Sequence, residues 1–303
     1  ERLTARRTPR WVPFAVAAGV VVLTAGIGAA VVMSNGADRP APPAATGLDA
    51  EVVRDGDRVT ATGNLVWAPG KPILLCQVNP AILISPAPAP TCSPWAVEVP
   101  EPAVGGVSWK QTDRVRHTEE RYTVSGTWRD GRIAQPSLAQ APTGSDEPLG
   151  DGTAATEELP LPCDPPEGGW VQPRVDPAQL EAARSALSEQ VTAHPASYSG
   201  LWVAEGNGVD VMVVGTVHAP AEHQRKLAAT YPYPLCVTKA DYSAAQLNAT
   251  ADRLATGDGS WMTAVLPQHA RVEVQLFVLD DAARDRIGKD AGMVTVLPFV
   301  HRE

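Results

Sequence analysis

The sequence predicts an α+β protein in three parts: one N-terminal transmembrane helix, a small all-β domain built as an OB-like barrel or sandwich, and a C-terminal domain of duplicated αββαβ units with ferredoxin-like layers. Three observations carry this reading. An uncharged apolar run fills 11–33, short alternating runs separated by turn dipeptides fill 48–133, and helical and strand patterns follow one order twice over 168–303. A chain of 303 residues has room for about two ordinary domains, and its 29 prolines concentrate in stretches that read as connections.

Residues 1–10 hold Arg2, Arg6, Arg7 and Arg10 against Glu1. The run Trp11 to Met33 that follows would cover roughly 35 Å as a helix, enough to cross a bilayer core. It has no polar stripe, Pro13 falls in its first turn, and Trp11 sits at interface depth. The preceding arginines assign 1–10 to the cytoplasm and 34–303 to the outside. The rival is a cleaved signal peptide ending near Gly28-Ala29-Ala30, but the apolar run exceeds the usual length of such a core. The small residues Ala25, Gly26, Ala29 and Ala30 would permit helix pairing, and an alanine-rich composition explains them as well.

Residues 34–47 read as a spacer. In 48–133, strands are expected at 59–65, 73–76, 81–85, 95–99, 107–110 and 121–128. Asp55-Gly56 and Asp130-Gly131 mark turns, and Gly63 and Gly126 fall mid-strand, where bulges or bends occur. Residues 134–167, rich in proline, glycine and acid, read as a second linker.

Beyond it, Asp176-Pro177 opens a helix with Leu180, Ala183, Leu187 and Val191 on one face. Strands at 201–204 and 209–217, a helix near 220–230 and a strand at 235–238 complete a first unit. Ser243 caps the next helix, followed by a hairpin 261–266/271–279, a helix 281–288 and a strand 293–299. Corresponding positions lie about 60 residues apart, and Val209-Asp210-Val211 echoes Val272-Glu273-Val274.

The net charge of −9, with basic residues gathered before the apolar run, leaves an acidic outer region that repels nucleic acid and anionic lipid. The four cysteines, Cys76, Cys92, Cys163 and Cys236, suit disulfides in an extracytoplasmic chain. Of three pairings the favoured one is Cys76–Cys92, closing a proline-rich loop, with Cys163–Cys236 tying the linker's end to a strand. No CxxC or Cys/His spacing points to metal or redox chemistry.

No catalytic, cofactor-binding or metal-binding residue is nominated. His218, Glu222 and His223 superficially resemble a zinc-protease motif, but the spacing is HxxxEH with Pro220 inside, so a solvated helix start is expected. Asp280-Asp281 suit a helix N-terminus, and Glu119-Glu120 and Glu157-Glu158 lie in polar loops. His117, His194, His269 and His301 have no neighbours in sequence that would make a site, and no GxSxG, Walker or GxGxxG sequence occurs.

The segments Cys163-Asp164-Pro165-Pro166-Glu167-Gly168-Gly169-Trp170, Tyr198-Ser199-Gly200-Leu201-Trp202-Val203 and Pro234-Leu235-Cys236-Val237 resemble recurrent segments of membrane-anchored actinobacterial proteins of unknown function. The resemblance covers 163–303 and, more loosely, the β region. It implies that Cys163 and Cys236 are a structural pair, and it transfers no activity. More distantly, the ββα units are similar to pro-regions of bacterial secreted serine proteases, although no protease domain follows. The expectation is a non-enzymatic, membrane-anchored envelope protein that binds a protein or cell-wall partner and needs no cofactor. The alternative is a regulator or inhibitor of a secreted hydrolase, and an enzyme with an unrecognised site ranks third.

Overall fold

A bent strand, β1 (Arg58–Trp67), organises the first half of the chain. From Val59 as far as Leu65 it alternates buried and half-buried side chains, and it bends at Gly63, where its partners change. A Cβ there would stand 2.5 Å from the Cys76 carbonyl oxygen, so only glycine permits the close approach of the two backbones. Before the bend, Arg58–Gly63 pairs with β6 (Tyr122–Arg129). After it, Asn64–Val66 pairs with β2 (Ile73–Val78), which carries β3 (Cys92–Val99). Two short strands, β4 (Lys110–Thr112) and β5 (Val115–His117), pair with each other, and β5 also pairs with the end of β1. The computed structural model describes residues 48–78, 89–142, 161–171, 174, 176–256 and 260–303. The expected transmembrane run 11–33, the spacer 34–47 and the expected strand 81–85 lie outside them. Among the described residues, no helix is long and apolar enough to cross a membrane.

The stretch expected as a linker from 134 begins instead as strand. β7 (Arg132–Gln140) pairs with β6 along its length, with a register shift at Gly126. Gln135 at φ 51° and Pro136 interrupt the alternation that would have announced it. An edge strand tolerates proline because its outward N–H has no partner to lose. The strand expected at 107–110 is displaced to β4, behind a 3₁₀ turn at Glu101–Val104.

The second half follows the predicted order. α2 (Pro177–Thr192) starts on Asp176, whose side chain accepts from the Ala178 amide. Then come β8 (Tyr198–Gly206), β9 (Val209–Thr216), α3 (Pro220–Ala228) and β10 (Leu235–Lys239). The second unit is α4 (Ala244–Leu254), β11 (Trp261–Leu266), β12 (Arg271–Val278), α5 (Asp281–Ile287) and β13 (Val294–Arg302). Ser243 and Gln246 form a reciprocal capping box at the start of α4. In both units the first two strands form an antiparallel hairpin and the third lies parallel to the second. We refer to them as repeat one and repeat two.

The third strand begins to pair at Leu235 opposite Met212, and at Val294 opposite Val272. This sets Met212 against Val272 and Val214 against Val274, and these residues face the helices in both repeats. The echo of Val209-Asp210-Val211 in Val272-Glu273-Val274 is therefore out of register by three residues. Val211 faces away from the helices, whereas Val274 faces them.

The two halves of the chain share one sheet. Val59–Ala61 of β1 pairs with β6 on one side and with Val300–Arg302 of β13 on the other. The larger sheet therefore runs β11-β12-β13-β1-β2-β3, with β6 and β7 branching from β1, and curls into a half-barrel. Phe299 and Val300, with partly buried Phe277, enter the same core as Leu65, Leu75, Trp95 and Val124. A short helix, α1 (Leu48–Glu51), leads Val52 into the core of repeat two beside Leu247, Leu254 and Ile287. Repeat one keeps its own three-stranded sheet, β10-β9-β8.

Candidate functional site

Both disulfides are formed, in the favoured pairing: Cys76–Cys92 with S–S 2.09 Å and Cys163–Cys236 with S–S 1.97 Å. The second one builds the most distinctive surface. It pins the segment 161–170 across the face of repeat one opposite the helices, where Leu161, Cys163 and Trp170 cover Ala204, Val211, Val213 and Cys236. The fit leaves no slack: a Cβ at Gly206 would approach both Leu161 and Trp170 to 2.8 Å. Gly168 and Gly169, at φ 92° and 81°, make the turn that returns Trp170 to the sheet.

Beside this strap the chain between α3 and β10 reads Tyr231-Pro232-Tyr233-Pro234. The Tyr231 amide donates to the Leu227 carbonyl, and its ring meets Tyr233 edge to face with centroids 5.3 Å apart. Burial pushes the Tyr231 hydroxyl pKa up, against the opposing hydrogen bond and charge of Arg184, so it stays protonated. Strap and loop enclose an open cleft of about 550 Å³ whose walls include Trp170, Tyr231, Tyr233, Pro166, Gln224 and Leu235. It is mainly apolar, its aromatic side chains come from segments fixed by a disulfide or by proline, and Val171 at its margin is 70 % exposed. A second cleft of about 790 Å³ opens between β3 and β7, where Lys71, Glu98 and Arg132 surround Phe277 and Ile73.

Pro220 opens α3 with His218 and Glu222 exposed, as expected of a solvated helix start, while His223 is half-buried. Ala219 adopts a left-handed conformation (φ 44°) before α3 and folds His218 back, so the His218 and His223 rings lie 5.2 Å apart despite Pro220. Their companion is not Glu222 but Tyr198, whose hydroxyl lies 2.8 Å from His223 Nδ1. Partial burial lowers the His223 pKa, the charge of His218 lowers it further, and Glu222 opposes both. His194 touches the edge of Tyr198 and places Nδ1 2.9 Å from the Gln190 carbonyl oxygen. Among the described residues, no three metal-ligating groups come together.

The remaining candidates separate. Asp280 caps α5 by accepting from the Ala283 amide at 2.7 Å, and Asp281 pairs with Arg54 and Arg284. Glu119 pairs with Lys110, and the Glu120 carbonyl accepts from Thr118 and Asn64. His117 lies in β5, His269 in a 3₁₀ turn and His301 in β13, opposite Thr60. Glu157 and Glu158 fall outside the described residues.

Comparison with known protein families and with curated proteins finds no match to this chain. Of the cleft residues, Trp170 stood out in the sequence only as the end of the Cys163–Trp170 segment, and Tyr231, Tyr233 and Gln224 were not singled out. The Tyr-Pro-Tyr-Pro run was the available signal, since alternating aromatic and proline residues next to a disulfide-bonded strand make a stiff apolar wall.

Proposed function

We propose that the chain is a non-enzymatic, membrane-anchored envelope protein whose extracytoplasmic part binds a partner protein through the cleft between strap and loop. The observation that carries this is the set of rigid aromatic walls at Trp170, Tyr231 and Tyr233. Trp170 and Tyr233 are partly exposed, Tyr231 is buried behind them, and aromatic residues held by covalent and proline constraints lose little entropy on binding and serve as interface anchors. Two disulfides support placement of residues 34–303 in an oxidising compartment, with 1–10 inside and 11–33 as the anchor. In this reading the first sheet follows an OB-like plan, supported by the bent β1 that serves β2 and β6 at its two ends. The two repeats follow a ferredoxin-like plan, supported by their matching αββαβ order.

The test is capture of partners from envelope extract by the full chain and by its Trp170→Ala and Tyr233→Ala variants, each assayed well below its own melting transition because Trp170 also covers the sheet of repeat one. A specific partner lost from both variants by a factor of about thirty supports the cleft, since an anchor residue is worth roughly 2 kcal/mol or more. Capture that both variants retain in full would refute it. A second reading, regulation or inhibition of a secreted hydrolase, draws on the αββαβ order and the resemblance to protease pro-regions. It is favoured if the Trp170-dependent partner is a protease whose activity falls on binding.

A further inference from the structure

Repeat one ends on β10, which among the described residues pairs with β9 alone, and along its other edge the Leu235 carbonyl and Val237 amide turn away from that neighbour. Gln224 of α3 meets both groups: its Nε2 donates to the Leu235 oxygen at 3.0 Å, and its Oε1 accepts from the Val237 amide at 2.8 Å. A side-chain amide thus stands where the peptide group of an adjoining strand would stand. The same edge borders the aromatic cleft, whose walls include both Gln224 and Leu235. In repeat two the positions that match Leu235 and Val237 are Val294 and Val296, and the third strand gains an outer neighbour farther along, where Val300–Arg302 pairs antiparallel to Val59–Ala61.

We propose that β10 is a strand acceptor: an extended segment of a partner protein displaces the Gln224 amide, pairs with the β10 edge at Leu235 and Val237, and seats side chains against Trp170 and Tyr233. The proposal rests on the protein-binding reading of the cleft and specifies the form the ligand takes there. Main-chain hydrogen bonds would supply the affinity and the cleft the selectivity. Displacement is cheap because the two hydrogen bonds lost by Gln224 are replaced by two from the incoming backbone. Without a ligand, the Gln224 amide keeps the edge from pairing indiscriminately.

The experiment uses the purified full chain and a displayed dodecapeptide library, followed by synthesis of the selected peptides with single backbone N-methyl groups. Binding is read by fluorescence anisotropy and by hydrogen exchange at the Val237 amide. The expected result is that N-methylation at alternate residues weakens binding by about ten-fold or more while intervening positions tolerate it. Gln224→Ala should tighten binding about five-fold by removing the internal competitor. In that variant Val237 should exchange fast alone and slowly with peptide. Failure to select any peptide, equal tolerance of N-methylation at every position, or no tightening in Gln224→Ala overturns strand addition. If N-methylated peptides still bind and still need Trp170, the cleft keeps its role and only the strand geometry falls. Binding indifferent to both removes both readings.

Discussion

Repeat one and repeat two share an element order and a hairpin-then-parallel strand plan, yet they bury their sheets in opposite ways. In repeat one the face away from the helices carries Val211, Val213 and Cys236, all nearly inaccessible under the strap. The matching positions in repeat two are Arg271, Glu273 and Thr295, which are polar and only half-buried. Repeat two is instead consumed at its outer edge, where β13 accepts β1, and at its far end, where Phe277 and Phe299 complete the half-barrel core. The difference teaches that the helix-facing side of such a unit is set by its own αββαβ pattern, whereas the opposite face and the edge are set by what covers them. A side chain there records a partner, and in repeat one a side-chain amide sits on the β10 edge.

The largest expected effect comes from removing each repeat in turn. A chain ending at Asp241 loses β13, Phe277, Phe299 and Val300, so β1 is left with an open edge and the first core is left incomplete. Its β1–β7 part should not fold: the amides of 58–140 should collapse to the narrow dispersion of an unfolded chain, while those of repeat one, with its own sheet and disulfide, stay dispersed. Replacing 161–240 by a flexible linker should instead leave the ten-stranded sheet folded, with Cys76–Cys92 intact. A folded sheet in the first variant would show that repeat two is an accessory and not a part of that core.

Next in size is the strap. Cys163→Ser and Cys236→Ser should each destabilise repeat one by about 4 kcal/mol, the entropic worth of a loop of 73 residues. The double variant should be little worse than either single one, because both remove the same bond. Urea unfolding followed by amide exchange should place the loss in 161–240 and leave β1–β7 protected. A loss spread evenly over both sheets would break the comparison.

The two sheet faces can be compared residue for residue. Val213→Thr puts a hydroxyl under the strap with no partner and should cost about 2 kcal/mol. Glu273→Val, at the matching position, removes a half-buried carboxylate that accepts from Gln275 and should change stability by no more than about 0.5 kcal/mol. Equal costs, read from the urea midpoints, would show that the faces are not different environments after all.

Local structure was legible where local chemistry decides it. Asp176-Pro177 and Ser243 marked two helix starts, and the alternation in 271–278 marked a strand. β7 was hidden because Gln135 and Pro136 break its pattern, although an edge position makes both harmless. The repeat was visible in element order, but its quoted echo was out of register, since Val-acid-Val fits either face of a strand. The union of β1 with β13 joins residues about 240 apart, and no local pattern encodes such a pairing. The cleft was missed for a related reason: Trp170, Tyr233 and Gln224 meet only after the disulfide has brought strap and loop together.

The smallest expected effect concerns the aromatic residue that opens each sheet. Tyr198 lies opposite Thr216, and Trp261 holds the matching place opposite Leu276. Tyr198 meets the titratable His223, with ring centroids 4.9 Å apart, while Trp261 lies under the Arg286 guanidinium at 4.7 Å, whose charge is permanent. Burial and the neighbouring His218 hold the His223 pKa below its ordinary value of 6.5. The unfolded chain therefore takes up this proton first as pH falls, so the contribution is fully present above about pH 6.5 and is lost as pH drops through the folded pKa. A protonated Nδ1 also cannot accept from the Tyr198 hydroxyl, which must turn to accept instead. Amide exchange, corrected for intrinsic rates, should show protection falling between pH 7.5 and 5.5 in β8 and α3 but not in β11 and α5. His223→Asn should flatten that response. An equal fall in both repeats, or one that persists in His223→Asn, would trace the acid sensitivity to other groups and remove this distinction between them.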